Sequence, residues 1–251
     1  MEKFYHMKII SRFKIHPLFY LAALICIFTG LFKDFYYITL IILVHELGHI
    51  IVSLYYKWRI DKIVILPFGG ITIFNECLNK PIKEESLVAI AGPIFQVLTF
   101  SFFKNPLLIK YHYFLLFFNL LPIIPLDGSK ILNVIFNKIC SFKKSYLYTI
   151  IISFIMILLC FLNFSKYPNL VWFIVIFFLL FKVIIELKKY HFIVNKFLFE
   201  RYLYRYNFKK SRMIKGSDLT KIKKDYKHIF YYDKNYYTER ELLDRMFDKI
   251  I

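Results

Sequence analysis

This 251-residue chain has little acid: 17 Asp and Glu stand against 35 Lys and Arg, a formal net charge of +18. It has four cysteines, Cys26, Cys77, Cys140 and Cys160, and no Cys-x-x-Cys pair. That removes them as metal ligands and leaves them as reduced thiols packed like small hydrophobes. No internal repeat appears, which speaks against a transporter built from inverted halves. No small-residue cleavage signature precedes Lys33, so the basic N-terminus and the first apolar run are read as retained, not as a signal peptide. The most informative shortage is of charge inside the apolar runs. Residues 15–32, 86–103, 111–126 and 145–165 contain no Lys, Arg, Asp or Glu, 35–56 contain only Glu46, and 167–185 only Lys182.

What is present fits those gaps. Hydrophobic residues make up 59% of the chain and aromatics 21%, with a mean hydropathy of +0.53, well above the soluble range. A helix needs about 20 apolar residues to cross the hydrocarbon core. The expected fold is therefore mostly α: a polytopic bundle of about six transmembrane helices, with a short membrane-associated β region and a small cytosolic C-terminal tail. Residues 1–187 form the membrane domain, 188–210 a juxtamembrane amphipathic segment and 211–251 the tail.

Thirteen Lys and Arg fall in the N-terminal arm and in loops 57–85 and 127–144, against Lys33, Lys104, Lys110 and Lys166 on the other side. The asymmetry places both termini in the cytosol of a cell-membrane protein. It also assigns most of the charge to anionic lipid and none to nucleic acid. The basic and aromatic stretch from Lys188 to Lys210 is likewise read as a helix at the headgroup level.

Two loop regions carry more pattern than a loop needs. "RIDKIVILPFGGITIF" has β-branched runs on both sides of Pro67 and of Gly69-Gly70, the sign of two short strands with a break. "HIFYYDKNYYTERELLDRMF" reads as strand, turn, strand and helix, with Thr238 and Glu241 at capping-box spacing.

Within the second apolar run lies "HELGH". His45 and His49, four residues apart, share one face of a helix and can share one metal ion, and Glu46 sits beside the open coordination position. This is the His-Glu-x-x-His arrangement of zinc hydrolases: two neutral imidazoles, a third protein ligand and a water whose pKa drops to roughly 7. A polar patch packed between helices is the alternative. Three ionisable groups in five residues of a span cost about 3 kcal/mol each on insertion scales, which favours the metal site. Gly48 allows another helix or a substrate to come close.

The third ligand is expected from Asp127 in "NLLPIIPLDGSK", where Pro122 and Pro125 break the helix and let a carboxylate turn inward. A simple turn residue is the competing reading. Asn119, eight residues earlier, is either a donor to an oxyanion or a helix-packing amide; spacing does not choose between them. The remaining histidines, His6, His16, His112, His191 and His228, lack ligand spacing and are read as structural or surface residues.

With "HELGH" in one span and "NLLPIIPLDG" in a later one, the chain resembles the site-2 protease family of intramembrane zinc metalloproteases, peptidase M50. "KIHPLFYLAAL", "WRIDKIVILPFGG", "KPIKEESLVAIAGP" and "NLLPIIPLDGSKIL" resemble its stage IV sporulation protein FB subfamily. The resemblance implies one zinc on His45, His49 and Asp127, Glu46 as general base, Asn119 as a transition-state contact and Phe68, Gly69 and Gly70 as a substrate-binding strand region. It further implies a membrane-associated substrate such as a sporulation pro-sigma factor, inhibitory membrane partner proteins and a place in the membrane around the forespore. A general protease of anti-sigma factors or signal-peptide remnants, and a non-catalytic metal-binding membrane protein, are the alternatives. Gln96 stands where many site-2 proteases have Asn, three residues after Gly-Pro. The forty or so residues after Lys210 are too few for the complete nucleotide-sensing domain usual in that subfamily.

Overall fold

A computed structural model describes residues 13–66, 69–75, 77–166, 170–204 and 206–248. The chain is mostly helical and divides into two units: residues 1–76 with 87–120, and residues 77–86 with 121–251.

The first unit opens with strand β1 (Phe13–Ile15) and helix α1 (Pro17–Phe28). His16 caps that helix, its Nδ1 accepting from the Leu18 amide, and Pro17 suits the first turn because its missing N–H would have no partner there. α1 has 12 residues, about 18 Å of rise and shorter than the hydrocarbon core. Helix α2 (Phe32–Tyr55) follows with 24 residues. It is long and apolar enough to cross a membrane. Leu43, Leu47 and Ile51 form an exposed stripe on it, while Ile41, Ile42, His45, Glu46, Gly48 and His49 are buried.

The predicted strand pair is present as β2 (Ile60–Leu66) and β3 (Gly69–Phe74), paired antiparallel, with β1 parallel to β2 on its far side. The sheet order is β1-β2-β3, so β3 is an edge strand. Ile63 and Ile65 alternate to the buried face, and a register shift between Ile60 and Lys62 lets Ile60 be buried as well. Pro67 and Phe68, at the break, lie outside the described residues. Helices α3 (Ile82–Phe100) and α4 (Pro106–Leu120) complete this unit; the first turn of α3 is grouped with the second. A Cβ on Gly48 of α2 would meet the Ala91 carbonyl oxygen of α3 at 2.6 Å, so the two helices touch through backbone, as the small residue suggested.

In the second unit, residues 121–126 form a turn that contains a cis Ile124-Pro125 bond. Leu126 is extended, and Asp127 then starts helix α5 (Asp127–Ile139). The fourth apolar run is thus helix to Leu120 and turn beyond it, and Asp127 opens the next helix instead of ending the span. The sequence pattern predicts a loop over 127–144. It is helical instead, with Gly128, Ser129, Val134 and Asn137 buried and Ile135 and Ile139 exposed.

Helix α6 (Phe142–Lys166) meets the length and hydropathy for a span over Phe142–Leu162. Its polarity is inverted relative to a soluble helix. Ser145, Thr149 and Ser153, at four-residue spacing, are buried, while Ile151, Ile155, Leu158 and Leu162 face outward. Ser145 donates to Asn133, and the Ser153 hydroxyl accepts from the Ile124 amide. Polar groups inside and aliphatic groups outside suit a hydrocarbon surround.

Helix α7 (Leu170–Leu203) has 34 residues, so the stretch expected at the headgroup level continues the last apolar run as one helix. Val194, Phe197, Leu198 and Arg201 on this half are buried. Phe197 and Leu198 pack with Ile214, Phe230, Leu242 and Leu243 of the tail, so protein covers this face. The tail is a three-stranded sheet ordered β4 (Lys210–Lys215), β5 (Tyr226–Tyr232), β6 (Asn235–Thr238), closed by helix α8 (Glu239–Phe247). The capping box forms as predicted: Glu241 N donates to Thr238 Oγ1, and Thr238 N to Glu241 Oε2.

Candidate active site

His45 and His49 project from one face of α2, because residues four apart are stacked just over one turn apart, and Glu46, about 100° further round, is buried beside them. One ligand atom from each lies within 4.8 Å of the other two. The two Nε2 atoms are 3.2 Å apart.

The surroundings decide which nitrogen carries the proton. His49 Nδ1 is 2.7 Å from the Val88 carbonyl oxygen, which only accepts, so His49 Nδ1 donates. His45 Nδ1 is 2.8 Å from Gln96 Oε1. Gln96 turns its oxygen that way because its Nε2 donates to the His112 carbonyl at 2.9 Å. His45 Nδ1 is therefore a donor as well. In the neutral rings both Nε2 atoms then present lone pairs to each other. Lone pairs that close repel unless a shared cation holds them, and oriented imidazoles backed by a carbonyl and an amide are a typical metal surround.

The cradle is shaped by an absent side chain. A Cβ on Gly92 of α3 would lie 2.3 Å from His49 Nε2 and 2.7 Å from His45 Nε2. Only glycine lets that helix backbone lie against the two nitrogens. The residues present therefore fit a zinc ion.

Glu46 is held from the sheet. Thr72 Oγ1 donates to Glu46 Oε2 at 2.6 Å, a short hydrogen bond. A Cβ on Gly70 would lie 2.3 Å from Glu46 Cγ and 2.6 Å from Oε1, so the carboxylate rests on bare strand backbone. At Gly69 the Cβ position is 3.9 Å from Asn119 Oδ1, which brings the end of α4 beside the hairpin.

The first unit thus brings together His45, Glu46, His49, Gly69, Gly70 and Asn119. Phe68 lies outside the described residues. Asp127 belongs to the second unit, where it is buried and accepts from the exposed Lys130 at 2.8 Å. Thr72, Val88, Gly92 and His112 were not singled out from sequence. Thr72, Val88 and Gly92 lie inside the quoted hairpin and Gly-Pro segments, whereas His112 reads only as a structural or surface histidine.

The tail carries a different kind of polar cluster. Arg201 is buried and donates to Asn79 Oδ1, Glu239 Oε1 and the Tyr226 and Lys223 carbonyls. Burial alone would raise the Glu239 carboxyl, but hydrogen bonds from His228 and Arg201 and their charges hold it below the usual glutamate value.

Comparison with known proteins agrees with the site. Peptidase family M50 matches residues 35–108, a span that includes the histidine pair, the hairpin and Gly92. Stage IV sporulation protein FB of Bacillus subtilis is 34% identical over 208 residues, covering 77% of this chain and 72% of that protein. Zinc metalloprotease MJ0392 of Methanocaldococcus jannaschii is 33% identical over 119 residues, 41% of this chain and 34% of that one. The solved site-2 protease from Methanocaldococcus jannaschii superposes with a TM-score of 0.54 at 26% identity, covering 69% of this chain and 89% of its own. A metal-ready histidine pair on an apolar helix and relatives of this extent lead to one assignment: the chain belongs to the site-2 proteases of peptidase family M50 and is a zinc-dependent intramembrane metalloprotease.

Proposed function

We propose that this protease hydrolyses one peptide bond of a membrane-associated protein near the cytosolic face, and that its substrate is a sporulation pro-sigma factor. The reading rests on one observation: two apposed histidine nitrogens lie beside a carboxylate that sits on an edge strand. The choice of substrate draws on the 34% identity to stage IV sporulation protein FB.

His45, His49 and Asp127 are the zinc ligands in this reading. Bound there, zinc supplies positive charge that acidifies a water and polarises a carbonyl. The Lys130 partner of Asp127 is no obstacle, since a pair with one half-exposed member contributes at most about 1 kcal/mol and gives way easily. Glu46 takes a proton from the attacking water and returns it to the amine nitrogen as the carbon–nitrogen bond breaks. Asn119 donates to the carbonyl oxygen as it gains negative charge. Phe68, Gly69 and Gly70 receive the substrate, whose unwound segment adds to β3 as a further strand. Helical hydrogen bonds protect a peptide bond, so this extension precedes cleavage.

Around this site we place six spans with both termini in the cytosol, residues 188–210 as a juxtamembrane segment and 211–251 as a reduced regulatory tail. Inhibitory membrane proteins and anionic lipid are the expected partners. The test is co-expression with a pro-sigma fusion, comparing wild type with Glu46→Gln. Cleavage falls by about 10³-fold in the variant while zinc stays bound, because the base is lost and the ligands remain. Undiminished cleavage removes Glu46 from the mechanism. Wild-type cleavage of an anti-sigma or signal-peptide reporter in place of the pro-sigma fusion redirects the substrate and keeps the chemistry.

A further inference from the structure

We infer that Thr72 is a positioning residue for the reaction: its hydroxyl fixes Glu46 so that Oε1, and not Oε2, meets the attacking water. The inference rests on Glu46 acting as the base.

Glu46 reaches the site on a stem with three rotatable bonds, and a helix alone does not choose among its rotamers. Two positions of β3 choose. Gly70 and Thr72 are two residues apart, so they face the same side of the sheet. Thr72 binds Oε2 at 2.6 Å, and Gly70 leaves room for Cγ and Oε1 directly above the strand. One carboxylate oxygen is anchored and the other rests over the strand that the proposal gives to the substrate. Thr72 is itself fixed, being buried and opposite the fully buried Ile63 in the ladder.

Thr72 donates without transferring a proton. Its effect is to keep a carboxylate oxygen at a set place, and errors of about 1 Å in such placement cost about 100-fold in rate. A threonine whose hydroxyl merely needed a partner would affect folding and zinc content, not turnover alone.

The test uses the full chain in proteoliposomes with whichever reporter wild type cleaves, the pro-sigma fusion or a signal-peptide remnant. T72V, T72S and E46Q are compared. T72V keeps the shape and loses the donor; kcat falls about ten- to a hundredfold with KM, zinc content and thermal unfolding unchanged. T72S keeps the donor and recovers most of the lost kcat. Wild-type kcat in T72V, or a loss that follows zinc content or stability, overturns the proposal, as does failure of T72S to recover activity. An active E46Q overturns the base assignment itself, whereas an inactive E46Q with a fully active T72V removes Thr72 alone.

Discussion

The site and the C-terminal tail hide polar groups by opposite means. Around the histidines there are few such groups, each tied to backbone or to a neutral side chain: His49 to the Val88 carbonyl, His45 to Gln96, Gln96 to the His112 carbonyl. Around Arg201 full charges meet, with Glu239 bound to both Arg201 and His228. Where hydrocarbon is the surround, an unpaired charge is expensive, so a charge is kept only where chemistry needs it. In the tail the charges are largely buried as well, and each is kept by a partner of opposite sign or a hydrogen bond, so that the cluster joins strand, helix and loop. Histidine and glutamate thus form a candidate metal site in one unit and a structural ion-pair cluster in the other.

This contrast can be broken at each end. The largest effect is expected at Gly92. Gly92→Ala puts a methyl 2.3 Å from His49 Nε2 on a helix that has little room to retreat. Zinc affinity should drop by about 100-fold or more, measured as metal content of the purified protein, and cleavage should disappear with it. Full zinc occupancy in that variant would mean that the cradle is looser than described. Arg201→Met comes next. It leaves Glu239 in a buried place with one partner fewer and should destabilise the tail by about 3 kcal/mol, read from amide exchange over residues 206–248. No change there would show that the charge cluster is decoration. The smallest effect belongs to Thr238→Ala, which removes the side-chain cap of α8 and should cost about 1 kcal/mol by the same measurement.

Local pattern explains what could be read in advance. The histidine pair, the two strands flanking Pro67 and the capping box at Thr238 are all set by residues within a few positions of one another, although Gly69 and Gly70, read as part of the break, open β3. So their geometry follows from the period of a helix or a strand. The supports of the site do not obey such rules. Thr72 meets Glu46 across 26 residues, Val88 meets His49 across 39 and Gln96 meets His45 across 51. These contacts exist only once α2, α3 and the sheet have packed. Gln96 drew notice as a departure from Asn, yet its geometric role came from the His112 carbonyl behind it. Helix α5 escaped notice for another reason. Its apolar residues are diluted by Lys130, Asn133, Asn137 and Lys138, so it contains no charge-free run of spanning length.

The open edge of β3 bears on how a scissile bond would be chosen. A substrate strand added there, as proposed, would pair by main chain, with side chains alternating above and below. Slipping by two residues preserves that alternation and advances the chain by about 6.6 Å past the carboxylate. In the proposed binding mode such an edge would work as a ruler with two-residue divisions, and the cut would fall where the unwound segment comes to a stop.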